Sequence, residues 1–168
     1  MTEYAEKDLF LIDVPRGFLS NTPELDDAMM SQVISSNGKI GWIGGNGRPD
    51  LAAGHSIIAG EYKDRSPNLV SSCNACVKQA KDNPIELIVW PIDVPDLRLV
   101  AFCDSSFDFN GVRHQQGWIV GFTNHYLNQN RKAPVSICMW KSRKLPRKAG
   151  SPQLVETVSY THLRAHET

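Results

Sequence analysis

Leu97-Arg98-Leu99-Val100-Ala101-Phe102-Cys103-Asp104-Ser105-Ser106-Phe107 is the stretch on which the fold turns. Its apolar, β-branched and aromatic residues predict a strand over residues 97–103 that closes on a carboxylate, Asp104. On its N-terminal side, residues 85–90 form a second strand-like run, joined through Pro91 and Pro95. On its C-terminal side, residues 116–122 and 135–141 read as two further strands between polar, turn-rich segments. Ser151-Pro152 then opens a helix, with a capping hydroxyl followed by proline at the first helical position. The second half is thus a meander of strands with one helix start after it.

Before residue 84 the period is helical. Thr22-Pro23-Glu24 pairs a cap with an N1 proline, and Leu25, Met29 and Val33 share one helical face. Asn37-Gly38 reads as a stop or a kink, residues 39–43 are apolar, and Gly44-Gly45-Asn46-Gly47 reads as a turn. Residues 51–59 form another short helix after Arg48-Pro49-Asp50. Ser66-Pro67 opens the clearest one. Leu69, Val70, Cys73, Cys76, Val77 and Ala80 make its apolar stripe, and Asp82-Asn83-Pro84 ends it. At the N-terminus, residues 9–14 are a short apolar run that suits a strand or the end of an upstream domain. No internal repeat is present.

The 168 residues carry 18 Lys plus Arg against 18 Asp plus Glu. The zero balance excludes a uniformly basic nucleic-acid coat and an acidic tail, so any charged partner must meet a local patch. Composition is that of a globular chain with a sizeable core. No stretch approaches the ~18 consecutive apolar residues of a membrane span. The opening MTEYAEKDLFLIDVP lacks a basic n-region, so an intracellular setting with reduced thiols is expected.

Four motifs carry possible chemistry. Cys73-Asn74-Ala75-Cys76 can be a redox dithiol or half a zinc site, but both sulfurs fall on the apolar stripe two turns into a helix, and no second ligand pair has zinc spacing. Core packing is the favoured reading. The glycine run at 44–47 matches no phosphate loop. Asp104 is either an exposed strand-end cap or one of a pair of hard-oxygen ligands, with Glu156 in the last helix as its candidate companion for Mg²⁺. Lys141-Ser142-Arg143-Lys144-Leu145-Pro146-Arg147-Lys148 has five cations in eight residues. By itself it suits a solvated loop. Beside two carboxylates it suits phosphate contacts from Lys141, Arg143, Lys144, Arg147 and Lys148.

The last eleven residues, Val158-Ser159-Tyr160-Thr161-His162-Leu163-Arg164-Ala165-His166-Glu167-Thr168, resemble the translation of a transposase-based sequencing-library adapter. They are set apart from the fold reading, and His162 and His166 are not read as metal ligands. Native sequence is expected to stop near Thr157.

Five blocks resemble the end of the Pol polyprotein of copia-type LTR retrotransposons, where reverse transcriptase runs into ribonuclease H. Gly38-Lys39-Ile40-Gly41-Trp42-Ile43 with Arg48-Pro49-Asp50-Leu51 is similar to the family's "GKLxWL…RPDL" segment. Leu99 to Phe107 resembles "LVAYSDASF", and Gln116 to Phe122 resembles "SGYIVFL". Pro134-Val135-Ser136 with Trp140-Lys141-Ser142-Arg143-Lys144 resembles "PISWKSRK", and Ser151 to Glu156 stands in the place of "SSLAAE". Gln115-Gln116 departs from the Ser-Gly lead, which is expected to matter little. Leu154-Val155 departs from a small-residue pair before the glutamate.

The resemblance implies an α+β chain: a reverse transcriptase connection segment over 1–83, then a partial ribonuclease H-like antiparallel sheet with the start of its first helix over 84–157. It implies Asp104 and Glu156 as catalytic metal ligands and two Mg²⁺ ions that activate a water and stabilise the leaving oxygen. The implied partners are an RNA–DNA hybrid, told from duplex DNA by its 2′-hydroxyls, and the remainder of the polyprotein, with no membrane. The implied location is a cytoplasmic virus-like particle or the nucleus. The family's remaining metal aspartates lie beyond Glu156, so the 168-residue chain alone is expected to be inactive. A decayed or domesticated element that at most binds nucleic acid is the alternative. A redox or zinc protein built on the Cys73/Cys76 pair is a third.

Overall fold

The chain is α+β, and the structure, a computed structural model, describes residues 2–21, 23–106, 114–124, 126 and 131–145. It divides into two compact units, Met1–Glu86 and Leu87–Thr168.

The first unit is helical. Two short helices, α1 (Thr2–Lys7) and α2 (Phe18–Asn21), precede α3 (Asp27–Asn46), α4 (Pro49–Gly60) and α5 (Asn68–Asp82). The cap of α3 is Asp26, four residues beyond the expected Thr22. Its Oδ1 accepts from the Met29 N–H at 2.7 Å, and Asp27 adds a second acid to the first turn. Met30, Val33, Ile40 and Ile43 of α3, Leu51 and Ile58 of α4, and the α5 stripe of Leu69, Val70, Cys73, Val77 and Ala80 form one buried core.

Helix α3 runs unbroken through Asn37-Gly38 and Gly44-Gly45, where the sequence suggested a stop and a turn. The reason is tertiary. The Asn37 amide is fully buried and donates to the His55 carbonyl (3.2 Å) and the Tyr62 hydroxyl (2.7 Å). Gly41 lies under the His55 ring, where a Cβ would collide with the imidazole. A Cβ on Gly44 would stand 3.5 Å from the α4 backbone at Ala52. Gly41 is the glycine that the α3–α4 contact requires, and that packing offsets the low helix propensity of glycine.

Arg48 locks the same unit from below. Only 2% exposed, it grips Asp50 through Nε and Nη2, both at 2.9 Å, while Nη1 donates to the Ala80 carbonyl at 2.9 Å. One guanidinium therefore joins the start of α4 to the last turn of α5, whose carbonyls lack helical partners.

The second unit is a three-stranded antiparallel sheet in the order β1-β2-β3, with β1 at Arg98–Ser106, β2 at Gln115–Thr123 and β3 at Ser136–Lys144. Residues 85–90, read as a strand from sequence, join no ladder. Pro84 and Pro91 flank this stretch without donors of their own, and the Trp90 N–H donates to Ser136 Oγ at 2.8 Å rather than to a ladder. β1 extends past Cys103, so Asp104 stands within the strand. β3 likewise continues past Lys141 through Ser142, Arg143 and Lys144, which the sequence placed in a loop after it. A bulge between Val120 and Gly121 shifts the β2–β3 register. Gly121 is required there, since a Cβ would come within 2.7 Å of the Ser136 carbonyl.

Candidate functional site

Strand alternation decides what Asp104 can work with. Asp104 on β1 lies opposite Gly117 on β2, which lies opposite Ser142 on β3. The next row on the same face is Ser106, Gln115 and Lys144. Gly117 has no side chain, so the middle strand is bare between the carboxylate and Ser142. Gln115 Nε2 donates to Ser142 Oγ at 2.8 Å, tying the two rows together across β2 and β3. Asp104 is exposed, and its Oδ1 accepts from the Ser105 N–H at 2.8 Å.

The opposite face holds the other described cations of the basic run. Lys141 lies in the row of Trp118 and Cys103, and Arg143 in the row of Gln116 and Ser105. The basic stretch is therefore divided between the two faces of the sheet, because successive side chains on a strand point to opposite faces. Lys144 alone among Lys141, Arg143 and Lys144 shares the face of Asp104. Lys141 and Lys144 are exposed and Arg143 is half-buried. Glu156, Arg147 and Lys148 lie outside the described residues, as does the 158–168 tail.

Arg143 is held rather than free. With the Gln116 amide oriented by its hydrogen bonds, its side-chain oxygen accepts from Arg143 Nε at 2.8 Å and Nη2 at 3.1 Å. Gln116 is only 1% exposed. It supplies the buried acceptor that orients a guanidinium across the strands. The cue was in the alternation of β2, which puts this glutamine on the face of Trp118, Val120 and Phe122.

On this face of the sheet the described strand residues offer one carboxylate, Asp104, as a hard oxygen donor. Mg²⁺ accepts one or two carboxylates and keeps several waters, so the exposed Asp104 carboxylate suits one such position. Among the described residues no group of three His, Cys, Asp or Glu could hold a metal ion.

The Cys73/Cys76 pair serves the core. Cys73 is fully buried in the α3–α5 core, and burial, with Cys76 alongside, pushes its thiol up to about 12. Burial and the nearby Asp50 raise Cys76 too. Both thiols stay protonated at neutral pH, the opposite of the lowered pKa that makes a cysteine reactive. Between them, Asn74 does something else: its side-chain amide pairs with the backbone of Ile12, accepting from its N–H at 2.8 Å and donating to its carbonyl at 2.9 Å. No helix among the described residues is long and apolar enough to cross a membrane. Comparison with known protein families, curated proteins and solved structures found no match to this chain.

Proposed function

We propose that the chain is part of a copia-type retrotransposon polyprotein, and that its second unit is the opening of a ribonuclease H that hydrolyses the RNA strand of RNA–DNA hybrids. The observation that carries this reading is the placement of Asp104. It is exposed on the first strand of a β1-β2-β3 antiparallel meander, beside a bare glycine, with a lysine one row away on the same face. That arrangement lets a phosphodiester approach the carboxylate while Lys144 offers a charge to a neighbouring phosphate. A bound Mg²⁺ supplies Lewis acidity toward the phosphoryl oxygen and an activated water. This chain's part is to present Asp104 to the metal, with Glu156 as the proposed second ligand, and to position the hybrid by Lys144 and the Gln115–Ser142 pair.

The test is Mg²⁺-dependent cleavage by the native reading frame that contains residues 1–157. RNA in a hybrid should be cut, while single-stranded RNA and duplex DNA are spared. A frame that binds the hybrid without cutting it supports the decayed-element reading. Cleavage that persists in EDTA contradicts the proposal.

A further inference from the structure

Residues 9–14 follow the turn at Asp8 that ends α1, and they belong to no helix and no sheet. Leu9 and Ile12 are 3% and 2% exposed and enter the helical core, whereas Leu11 is 48% exposed. Asn74 of α5 pairs with both backbone groups of Ile12, as a neighbouring strand would. On the α3 side, the Lys39 ammonium donates to the Asp8 carbonyl at 2.9 Å and lies 4.9 Å from the centre of the Phe10 ring. The segment is thus bound by two fully buried apolar anchors three residues apart, by the partly buried Phe10 and Val14, and by contacts to its main chain. That is how a groove recognises an extended peptide: backbone pairing gives affinity and side-chain pockets give selectivity.

We propose that α3 and α5 form a binding site for an extended peptide with apolar residues at positions i and i+3, and that the chain's own residues 8–14 occupy it as an intramolecular ligand. Selectivity comes from the pockets of Leu9 and Ile12, and affinity from the Asn74 clamp and Lys39. The tether is the exposed Pro15-Arg16-Gly17 turn, in which the Phe18 N–H donates to the Pro15 carbonyl at 3.0 Å and Gly17 has φ 82°. Glycine tolerates that left-handed conformation, so the turn can reverse the chain without strain. Joined in this way, the segment has a high local concentration at its groove, and a partner peptide must compete with it.

The experiment uses the full chain with a specific-protease site inserted between Arg16 and Gly17. After cleavage, the N-terminal piece should stay bound at about 1 μM and exchange with a fluorescent peptide of residues 3–16. Asn74→Ala should weaken that peptide about tenfold, because two hydrogen bonds are lost. N-methylation of Ile12 in the peptide removes its N–H and should weaken binding in the unmodified groove, which a purely apolar contact would not show. A peptide with Leu9 and Ile12 changed to serine should not bind. Loss of the N-terminal piece on cleavage, collapse of helical structure on cleavage, or peptide affinity indifferent to both Asn74→Ala and N-methylation would each overturn the proposal.

Discussion

The two units differ in how their large apolar residues are covered. In the helical unit, the buried polar side chains Arg48 and Asn37 are clamped to named acceptors, and the large apolar residues of α5 face inward. In the sheet unit, Leu99, Phe102 and Met139 are 62%, 51% and 57% exposed. Leu99 and Met139 stand on one face and Phe102 on the other, so neither face resembles the solvated side of a finished antiparallel sheet.

The sharpest way to break this contrast is Arg48→Ala. It leaves Asp50 partly buried without its guanidinium and frees the Ala80 carbonyl, so urea unfolding should show a loss of about 3 kcal/mol. Hydrogen exchange should rise first at the end of α5. Gly41→Val comes next: a side chain under the His55 ring must displace it from Asn37, with an expected loss of about 2 kcal/mol. An unchanged unfolding midpoint would show that α3 and α4 do not depend on that close approach.

The thiols give a pH signature to the same unit. A Cys73 thiol raised from an ordinary 9.0 to about 12 makes the native state hold a proton that the unfolded chain releases. Its stabilising contribution is whole below pH 9 and is lost as pH rises toward about 12. Asp50 acts at the other end: burial raises its carboxyl, but hydrogen bonds and charge from Arg48, with help from Gln79, leave it below the usual value. That contribution is present above about pH 4 and fades as acid protonates it. Cys73→Ala should flatten the alkaline limb of a pH-stability curve and leave the acid limb in place.

The smallest stability effect belongs to the sheet. Leu99→Ser with Phe102→Ser removes exposed apolar surface, so stability should change by less than about 0.5 kcal/mol while binding of a hydrophobic dye falls. A large destabilisation would mean that these residues are packed.

Much of the helical unit was legible because its information is local. The spacing of Leu69, Cys73 and Val77 is enough to place α5, and Pro49-Asp50 marks the start of α4. The continuity of α3 was not legible, because glycine reads as a stop unless the facing His55 ring and α4 backbone are known. In the sheet, β1 and β2 were visible as apolar runs, and Asp104 could be picked out in β1. The faces were not, because the residues after Lys141, Arg143 among them, looked like loop residues. Once β3 is seen to run to Lys144, simple alternation separates them from Asp104. The role of Gln116 was hidden for the same reason: its partner lies on the neighbouring strand and twenty-seven residues further along the chain.

The account rests most heavily on Asp104, and its direct test is hydrolysis of an RNA–DNA hybrid by the native frame with and without Asp104→Asn. The substitution keeps the size of the side chain and removes the charge a metal requires. The account predicts Mg²⁺-dependent cleavage that falls about a thousandfold in the variant, while hybrid binding is kept and Lys144→Ala weakens binding more than Lys141→Ala. Undiminished cleavage by the Asp104→Asn protein would contradict it.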